Sequence, residues 1–430
     1  MKKIVELILK FLAKLILGKY KPEIIGITGS VGKTGTKEAV YTVLRSKFNV
    51  RRNIKNYNNE IGLPLTIIGA ETVGRSIIGW LIVFFKGLKL IIFTDCEYPK
   101  ILVLEMGVDK PGDMNYLNSI VKCKIGIATA IGSVHAENFG TTLKLYKEKT
   151  ELIKSIDNSG WSILNYDDEK TRAMKSASKA KVITYGLDDK ADIRAAEIKF
   201  NFFGKEDSEI QGISFKLKYK KLTSFVSLKN VLGTGAVYSA LAASAAGIFY
   251  KMDLSEISKA LLNYKSPKGR MNLIKGIKHT MIIDDSYNAE PKSTMSALGA
   301  MKIIPVEEGR RKFAVLGDML ELGSYSESGH REVGKYAVKY LIDKLILVGE
   351  RARDIGHGAE EAGMKVDNIF HFDNSRAAGK FVQERIKEGD LILVKGSQGM
   401  RMEKIVKEIM AEPLNAEKLL VRQDKNWLRK

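Results

Sequence analysis

The stretch GITGSVGKTGTKEAV (residues 26–40) constrains the fold of this chain more than any other part of it. The short apolar run EIIGIT leads into it and the helix-like TKEAVYTVLRSKF follows, so the order is strand, glycine-rich loop, helix. In such a unit the loop N–H groups and the helix N-terminus converge on phosphate oxygens. Lys33 is placed to reach outer phosphates, and the Thr34 hydroxyl to face a magnesium ion. The common phosphate-loop pattern has a glycine five residues before the Gly-Lys pair; here Ile27 stands there and Gly26 lies one place earlier. The plainer alternative is a turn whose glycines serve only the bend. Gly32-Lys33-Thr34 directly after a buried strand argues against it.

A magnesium nucleotide site also needs a carboxylate, and KILVLEMG (100–107) ends four apolar residues on Glu105. A charge ending a buried strand calls for a partner, and a metal ion is one. Further on, KIGIATAIGSVHAE reads as a strand ending at His135, LYKEKTELI as a helix and GWSILNYDDE as a strand and turn. This alternation predicts a parallel, doubly wound sheet with its sites at the carboxyl ends of the strands. Residues 190–230 alternate apolar and polar side chains between turn signals, which predicts antiparallel strands. After the linker-like YKSPKGRMN (264–272), four further strand-like runs predict a second α/β domain. The expected class is therefore α/β: a central P-loop parallel-sheet domain and a C-terminal Rossmann-like domain, with a short N-terminal helix. The expected boundaries are 1–22, 23–265 and 266–430.

Composition narrows the function classes. At 430 residues the chain has room for two or three well-buried domains. Two cysteines, Cys96 and Cys123, form neither a disulfide framework nor a metal pattern, which suits a reducing cytoplasm. The net charge of +20 comes from lysines spread along the whole chain, and no nucleic-acid-binding motif accompanies it, so no nucleic-acid partner is expected. Two apolar stretches stand out, residues 1–20 and 76–93, both broken by lysines. The first is too short to span a bilayer, which takes about 20 apolar residues. The two either pack on the core and each other or make a peripheral contact at the inner face of the membrane.

Taken in order, TGSVGKT, NYNNEIGLPLT, LEMGVDKPGDM, GSVHAENFG, YKEKTELI, ILNYDDE, GRMN, DDSYNAEPKSTM, LGDMLELG and VKGSQGMRMEK resemble the Mur ligases, ATP-dependent amide-bond-forming enzymes of cell-wall precursor synthesis. The resemblance runs from about Ile24 to Ile409 and is nearest to the type that adds D-Ala-D-Ala to a UDP-linked muramoyl tripeptide. In that family the loop reads TG-x-x-GK-T, so Ile27 is ordinary. The resemblance implies that ATP phosphorylates a carboxylate and that an amine then attacks the acyl phosphate, with the C-terminal domain closing over the ATP domain. By the same resemblance Thr28, Gly29, Ser30, Gly32, Lys33 and Thr34 hold ATP phosphates. Thr34 and Glu105 hold one Mg2+, and His135 binds a second. Lys149 is implied to be carbamylated and to serve as a metal ligand, with Lys147 as the competing assignment. Arg270 reaches the γ-phosphate, Asp285 and Asn288 reach the ribose and base side of ATP, and Asn58 and Asn59 face the acceptor carboxylate. Lys395, Ser397 and Arg401 face the incoming peptide.

Two departures accompany the resemblance. Family members carry about a hundred residues before the loop that hold the UDP moiety, whereas 22 residues precede Glu23 here. In VLGTGAVYSALAA, Gly235 and Ser239 stand where the family has His and an adenine-facing Asn, which predicts altered base contacts. A related ligase acting on a UDP-free acceptor, such as a pseudomurein-type precursor, and a nucleotide-binding scaffold that has lost chemistry remain the alternatives.

Overall fold

A computed structural model of the chain describes residues 2–54, 57–74, 76–132, 139, 141–202, 210–304, 306, 308–424 and 427. The chain divides into two compact units. One comprises Met1–Ile198, Ser214–Ser227 and Gly235–Tyr264; the other comprises Lys199–Ile213, Leu228–Thr234 and Lys265–Lys430.

The larger of two sheets contains β1 (Glu23–Thr28), β2 (Val50–Arg52), β3 (Ile101–Glu105), β4 (Ile125–Ala128), β5 (Trp161–Asn165), β6 (Lys181–Gly186), β7 (Ile193–Phe202), β8 (Ile210–Tyr219) and β9 (Leu222–Lys229), in the order β2-β3-β1-β4-β5-β6-β7-β8-β9. From β2 to β7 every pairing is parallel. Such strands are covered on both faces and therefore read as continuous apolar runs; all of β3 and β4 is buried. Between β8 and β9 only Lys220 and Lys221 intervene, a two-residue connection that an antiparallel pair alone admits.

The helices of this unit include α1 (Lys2–Tyr20), α2 (Lys33–Leu44), α3 (Gly62–Ile68), α4 (Ile77–Ile92), α5 (Asp113–Asn118) and α6 (Thr142–Lys154). The stripe Val5, Leu9, Leu12, Ala13 and Ile16 repeats at helical spacing and buries one face of α1. Trp80, Val83 and Gly87 do the same for α4, with Gly87 seated close against Leu12. Lys19 then donates to the carbonyls of Leu90, Ile91 and Phe93, supplying cationic partners for the exposed carbonyls at the end of α4. Both apolar stretches thus pack on the core and on each other. No described helix is long and apolar enough to cross a membrane.

The second sheet contains β10 (Asn272–Lys275), β11 (Met281–Asp285), β12 (Lys312–Gly317), β13 (Lys344–Val348), β14 (Ile369–Phe372) and β15 (Leu391–Lys395), in the order β10-β11-β15-β12-β13-β14. Only β10 pairs antiparallel. Its strands feed two cores by strict alternation: Ile283, Leu345 and Leu393 enter one, Ile282, Ile346 and Ile392 the other. The α/β class expected from the sequence is the one that forms, twice over.

Candidate active site

In the first unit the candidate groups gather at the carboxyl ends of β1, β3 and β4. Gly26, which the loop pattern leaves unexplained, is a packing residue. A Cβ there would meet Cys123 Sγ at 2.8 Å and Leu152 Cδ1 at 2.9 Å. Its bareness, with that of Gly126 against Ile153 and Ile156, lets α6 settle onto β1 and β4. On the buried face of α6, Leu145, Lys149, Leu152 and Ile153 follow at helical spacing, so close packing carries Lys149 inward with the apolar residues.

The loop itself is held from one side. Gly29 has φ +141° and Gly32, the N-cap of α2, φ +87°, conformations that only glycine adopts cheaply. Ser30 N donates to Ala130 O at 2.6 Å, and Thr129 Oγ1 donates to Val31 O at 2.6 Å and to Thr28 O at 3.2 Å. Lys33 Nζ lies 2.9 Å from Gly29 O and 3.2 Å from Ser30 O. Lys149 Nζ donates to the same Gly29 carbonyl at 3.0 Å. Thr28 Oγ1 is buried without a hydrogen-bond partner among the described residues, and Thr34 is half-buried in the first turn of α2.

Lys149 is only 1 % exposed, whereas Lys147, two residues earlier, is exposed. Burial holds the Lys149 amine well below the ordinary lysine range, and the Lys33 cation lowers it further; Asp109, Glu148 and Glu105 oppose the shift. Its neighbour Glu148 accepts from Gly112 N at 3.0 Å and Met114 N at 2.7 Å, capping α5. Glu105, buried at the end of β3, lies in register with Ile27 of β1. Asn58 Nδ2 donates to Glu105 Oε1 at 3.2 Å. Asn53 bridges the Glu105 backbone, its Oδ1 accepting from Glu105 N and its Nδ2 donating to Glu105 O. Asn59 Oδ1 accepts from Gly62 N at the start of α3. His135 lies outside the described residues. Among the described residues no three His, Cys, Asp or Glu side chains form a ready-made metal cage. The oxygens at hand, Glu105 and Thr34, are the hard donors that magnesium takes in ones and twos beside phosphate oxygens, so the residues present fit that ion.

Ser239 in the helix Thr234–Phe249 spends its hydroxyl on Gly235 O at 3.0 Å, while a Cβ on Gly35 would meet Ser239 Oγ at 2.8 Å. That hydroxyl is therefore bonded within its own helix.

In the second unit the candidates gather after β11 and β15. Asp285 and Lys395 end these paired strands in register, and Lys395 Nζ donates to Asp285 Oδ2 at 2.6 Å and Asn288 O at 2.9 Å. Asp285 Oδ1 accepts from Met271 N at 3.2 Å; the Asn288 side chain is exposed. Ser397 Oγ accepts from Leu320 N at 2.8 Å. Arg401 donates to Glu403 Oε1 at 2.6 Å, and Glu403 Oε2 accepts from Arg422, which also donates to Ser286 O and Tyr287 O. Arg270 lies with its guanidinium carbon 4.3 Å from the centre of the Tyr287 ring, and its buried Nε has no hydrogen-bond partner among the described residues. Each unit thus assembles its own set of candidates.

Asn53, Thr129, Glu148, Glu403 and Arg422 were not legible as site residues. Asn53 and Thr129 do follow strand ends, where a short polar side chain commonly ties down the next turn. Arg422 carries no such signal.

The chain matches the Mur ligase middle domain over residues 27–77 and 86–247, and the Mur ligase, glutamate ligase domain over residues 269–398. It is 31 % identical over 407 residues to the UDP-N-acetylmuramoyl-tripeptide--D-alanyl-D-alanine ligase of Bacillus subtilis (strain 168), covering 95 % of this chain and 80 % of that protein. Among solved structures it resembles MurF from Acinetobacter baumannii in fold, with a TM-score of 0.76 and 24 % identity over 93 % of this chain and 79 % of that one. MurF ligase from Thermotoga maritima in complex with ADP superimposes with a TM-score of 0.73 at 25 % identity, over 93 % of this chain and 82 % of that one.

Proposed function

The chain belongs to the Mur ligase family, and from that membership we propose that it is the ATP-dependent ligase joining D-Ala-D-Ala to a UDP-linked muramoyl tripeptide. The observation that carries the reading is similarity along nearly the whole chain to a ligase of that specificity, with the loop and both lysines in one cluster. In the first half-reaction a carboxylate oxygen forms a bond to the γ-phosphorus of ATP while the bond to ADP breaks. In the second, the amine nitrogen attacks the acyl carbon, phosphate leaves and the nitrogen gives up its proton. Negative charge gathers on the phosphoryl oxygens and then on the tetrahedral carbon, so cations and N–H donors carry the catalysis.

Each residue has a task suited to its setting. Loop N–H groups of Gly29 and Gly32, with Lys33, hold the outer phosphates; Ser30, whose own N–H is given to Ala130 O, fixes the loop from the side, and Thr28 Oγ1 offers an uncommitted hydroxyl beside them. Thr34 and Glu105 would hold one Mg2+, which when bound neutralises phosphate charge; Asn58 keeps the Glu105 carboxylate turned to the site. Lys149 is the residue we assign to carbamylation. An ammonium cannot add to CO2, but burial favours the free amine, whose lone pair forms the N–C bond as a proton is released. The resulting carbamate and His135 would hold a second ion. Arg270, with a buried N–H to spare, is assigned to the γ-phosphate. Asn58 and Asn59 are assigned to the acceptor, Lys395, Ser397 and Arg401 to the incoming dipeptide, and Asp285 and Asn288 to the nucleoside. Residues 23–265 form the ATP-binding domain of this reading and 266–430 its partner domain. Both cysteines are free thiols, in keeping with a reaction in the reducing cytoplasm.

Phosphate release from ATP, measured across a matrix of muramoyl peptides and dipeptides, tests the reading. Release confined to UDP-linked tripeptide plus D-Ala-D-Ala is the expected result. Release with acceptors that carry no UDP would replace it by a ligase of UDP-free precursors.

A further inference from the structure

Helices α1 and α4 bury one side of themselves and leave the other bare. On α1 the residues Leu7 and Phe11 are exposed; on α4, Ile78, Leu81, Ile82 and Phe85 are exposed, Ile78 by 72 % and Phe85 by 69 %. Each set recurs at three- and four-residue spacing, so it forms a face, and the contact of Gly87 with Leu12 sets the two helices side by side. A soluble monomer seldom leaves so many large apolar side chains bare in one place.

We propose that this face docks on the surface of an anionic lipid bilayer. Charge supplies the first argument. The two helices contain seven lysines and one acidic residue, Glu6, within a chain of net charge +20. Lys3, Lys14 and Lys89 are exposed among the apolar residues, where long stems follow the apolar body and the ammonium groups reach lipid headgroups, while Lys86 donates to Gly69 O. Composition supplies the second. The bare side chains are aliphatic residues and phenylalanine with lysine between them, the make-up of an interfacial helix; protein interfaces deplete lysine. The third comes from the family. Residues 78–85, which contribute Ile78, Leu81, Ile82 and Phe85, fall between the two matched segments of the middle domain, so the face is not part of the pattern that defines that domain. Neither helix is apolar and long enough to span a bilayer, so the contact is with the surface. The inference stands apart from the substrate reading, because none of these residues belongs to the loop cluster.

Co-sedimentation of the full chain with vesicles tests it. Vesicles of phosphatidylcholine alone are compared with vesicles containing about 30 % phosphatidylglycerol, a surface charge that attracts lysines. The expected result is recovery with the anionic vesicles that weakens at high salt and falls about tenfold in Phe11→Glu/Phe85→Glu, each glutamate placing a charge where the apolar ring inserts. Both positions are exposed, so thermal melting and phosphate release with water-soluble substrates remain those of the parent chain and show that the variant is folded. Protein that stays in the supernatant with anionic vesicles overturns the proposal, as does equal recovery of the variant. Self-association that the double substitution abolishes, without vesicle binding, assigns the face instead to a second copy of the chain.

Discussion

Substituting Gly29 by alanine should disable the phosphate loop through one methyl group. Gly29 has φ +141°, and a residue with a Cβ held in such a conformation is strained by about 1–3 kcal/mol. The added Cβ would also stand 1.9 Å from Thr129 Oγ1 and 3.2 Å from Ala130 O, and the first of these contacts is impossible. Either Thr129 rotates and gives up the hydrogen bond that its one O–H shares between Val31 O and Thr28 O, at about 1 kcal/mol, or the loop moves. A moving loop disturbs the Ser30–Ala130 bond and the Gly29 carbonyl shared by Lys33 and Lys149. Together these terms amount to about 2–4 kcal/mol, divided between stability and nucleotide affinity. Urea unfolding and calorimetric titration with ADP measure the two parts. In the Thr129→Ala background the 1.9 Å contact is gone and 3.2 Å contacts to backbone and Cβ remain, so the cycle should show a coupling of about 1–2 kcal/mol. Wild-type stability together with wild-type ADP affinity in Gly29→Ala, or strict additivity in the cycle, would refute the reasoning.

Three further outcomes are expected from buried charges. Because burial keeps the Lys149 amine below its ordinary range, a 13C-carbamate signal from bicarbonate-equilibrated protein should grow as pH rises through that lowered value; it should vanish in Lys149→Arg and persist in Lys147→Arg. Burial raises the Asp284 carboxyl to about 6, so between about pH 4 and 6 the folded state holds a proton that the unfolded state has lost, and stability falls as pH rises. Asp284→Asn should therefore be more stable than the parent at pH 8 by about 2–3 kcal/mol, at 1.36 kcal/mol per pKa unit, with the gap closing below pH 4 in urea titrations. Lys395→Met leaves the Asp285 carboxylate buried without its cation and should cost about 3–5 kcal/mol; Lys395→Met/Asp285→Leu should recover most of that loss in the same assay.

Much of this was legible because it depends on local order. The succession of EIIGIT, GSVGKT and TKEAV specifies strand, loop and helix whatever surrounds them, and an apolar run ending in Glu105 announces a charged strand end. The loop's early glycine was legible only as a misfit. In the fold Gly26 belongs to the strand and makes room for α6. Lys149 sits in a segment, KLYKEKTEL, that reads as charged and solvated, yet its spacing from Leu145 and Leu152 places it on the apolar face. That spacing was available in the sequence; the depth of burial was not.

The sequence by itself determined the α/β class, the family and the position of the loop, because each rests on short-range pattern and on motifs kept in order. Tertiary structure alone decided how deeply Lys149 is buried, and that Asn53 and Asn58 hold Glu105 in place. It also decided which sides of α1 and α4 stay bare. Burial and partnership depend on residues more than a hundred positions apart, as with Lys149 and Gly29, and their approach is set by how closely a helix can pack on a sheet.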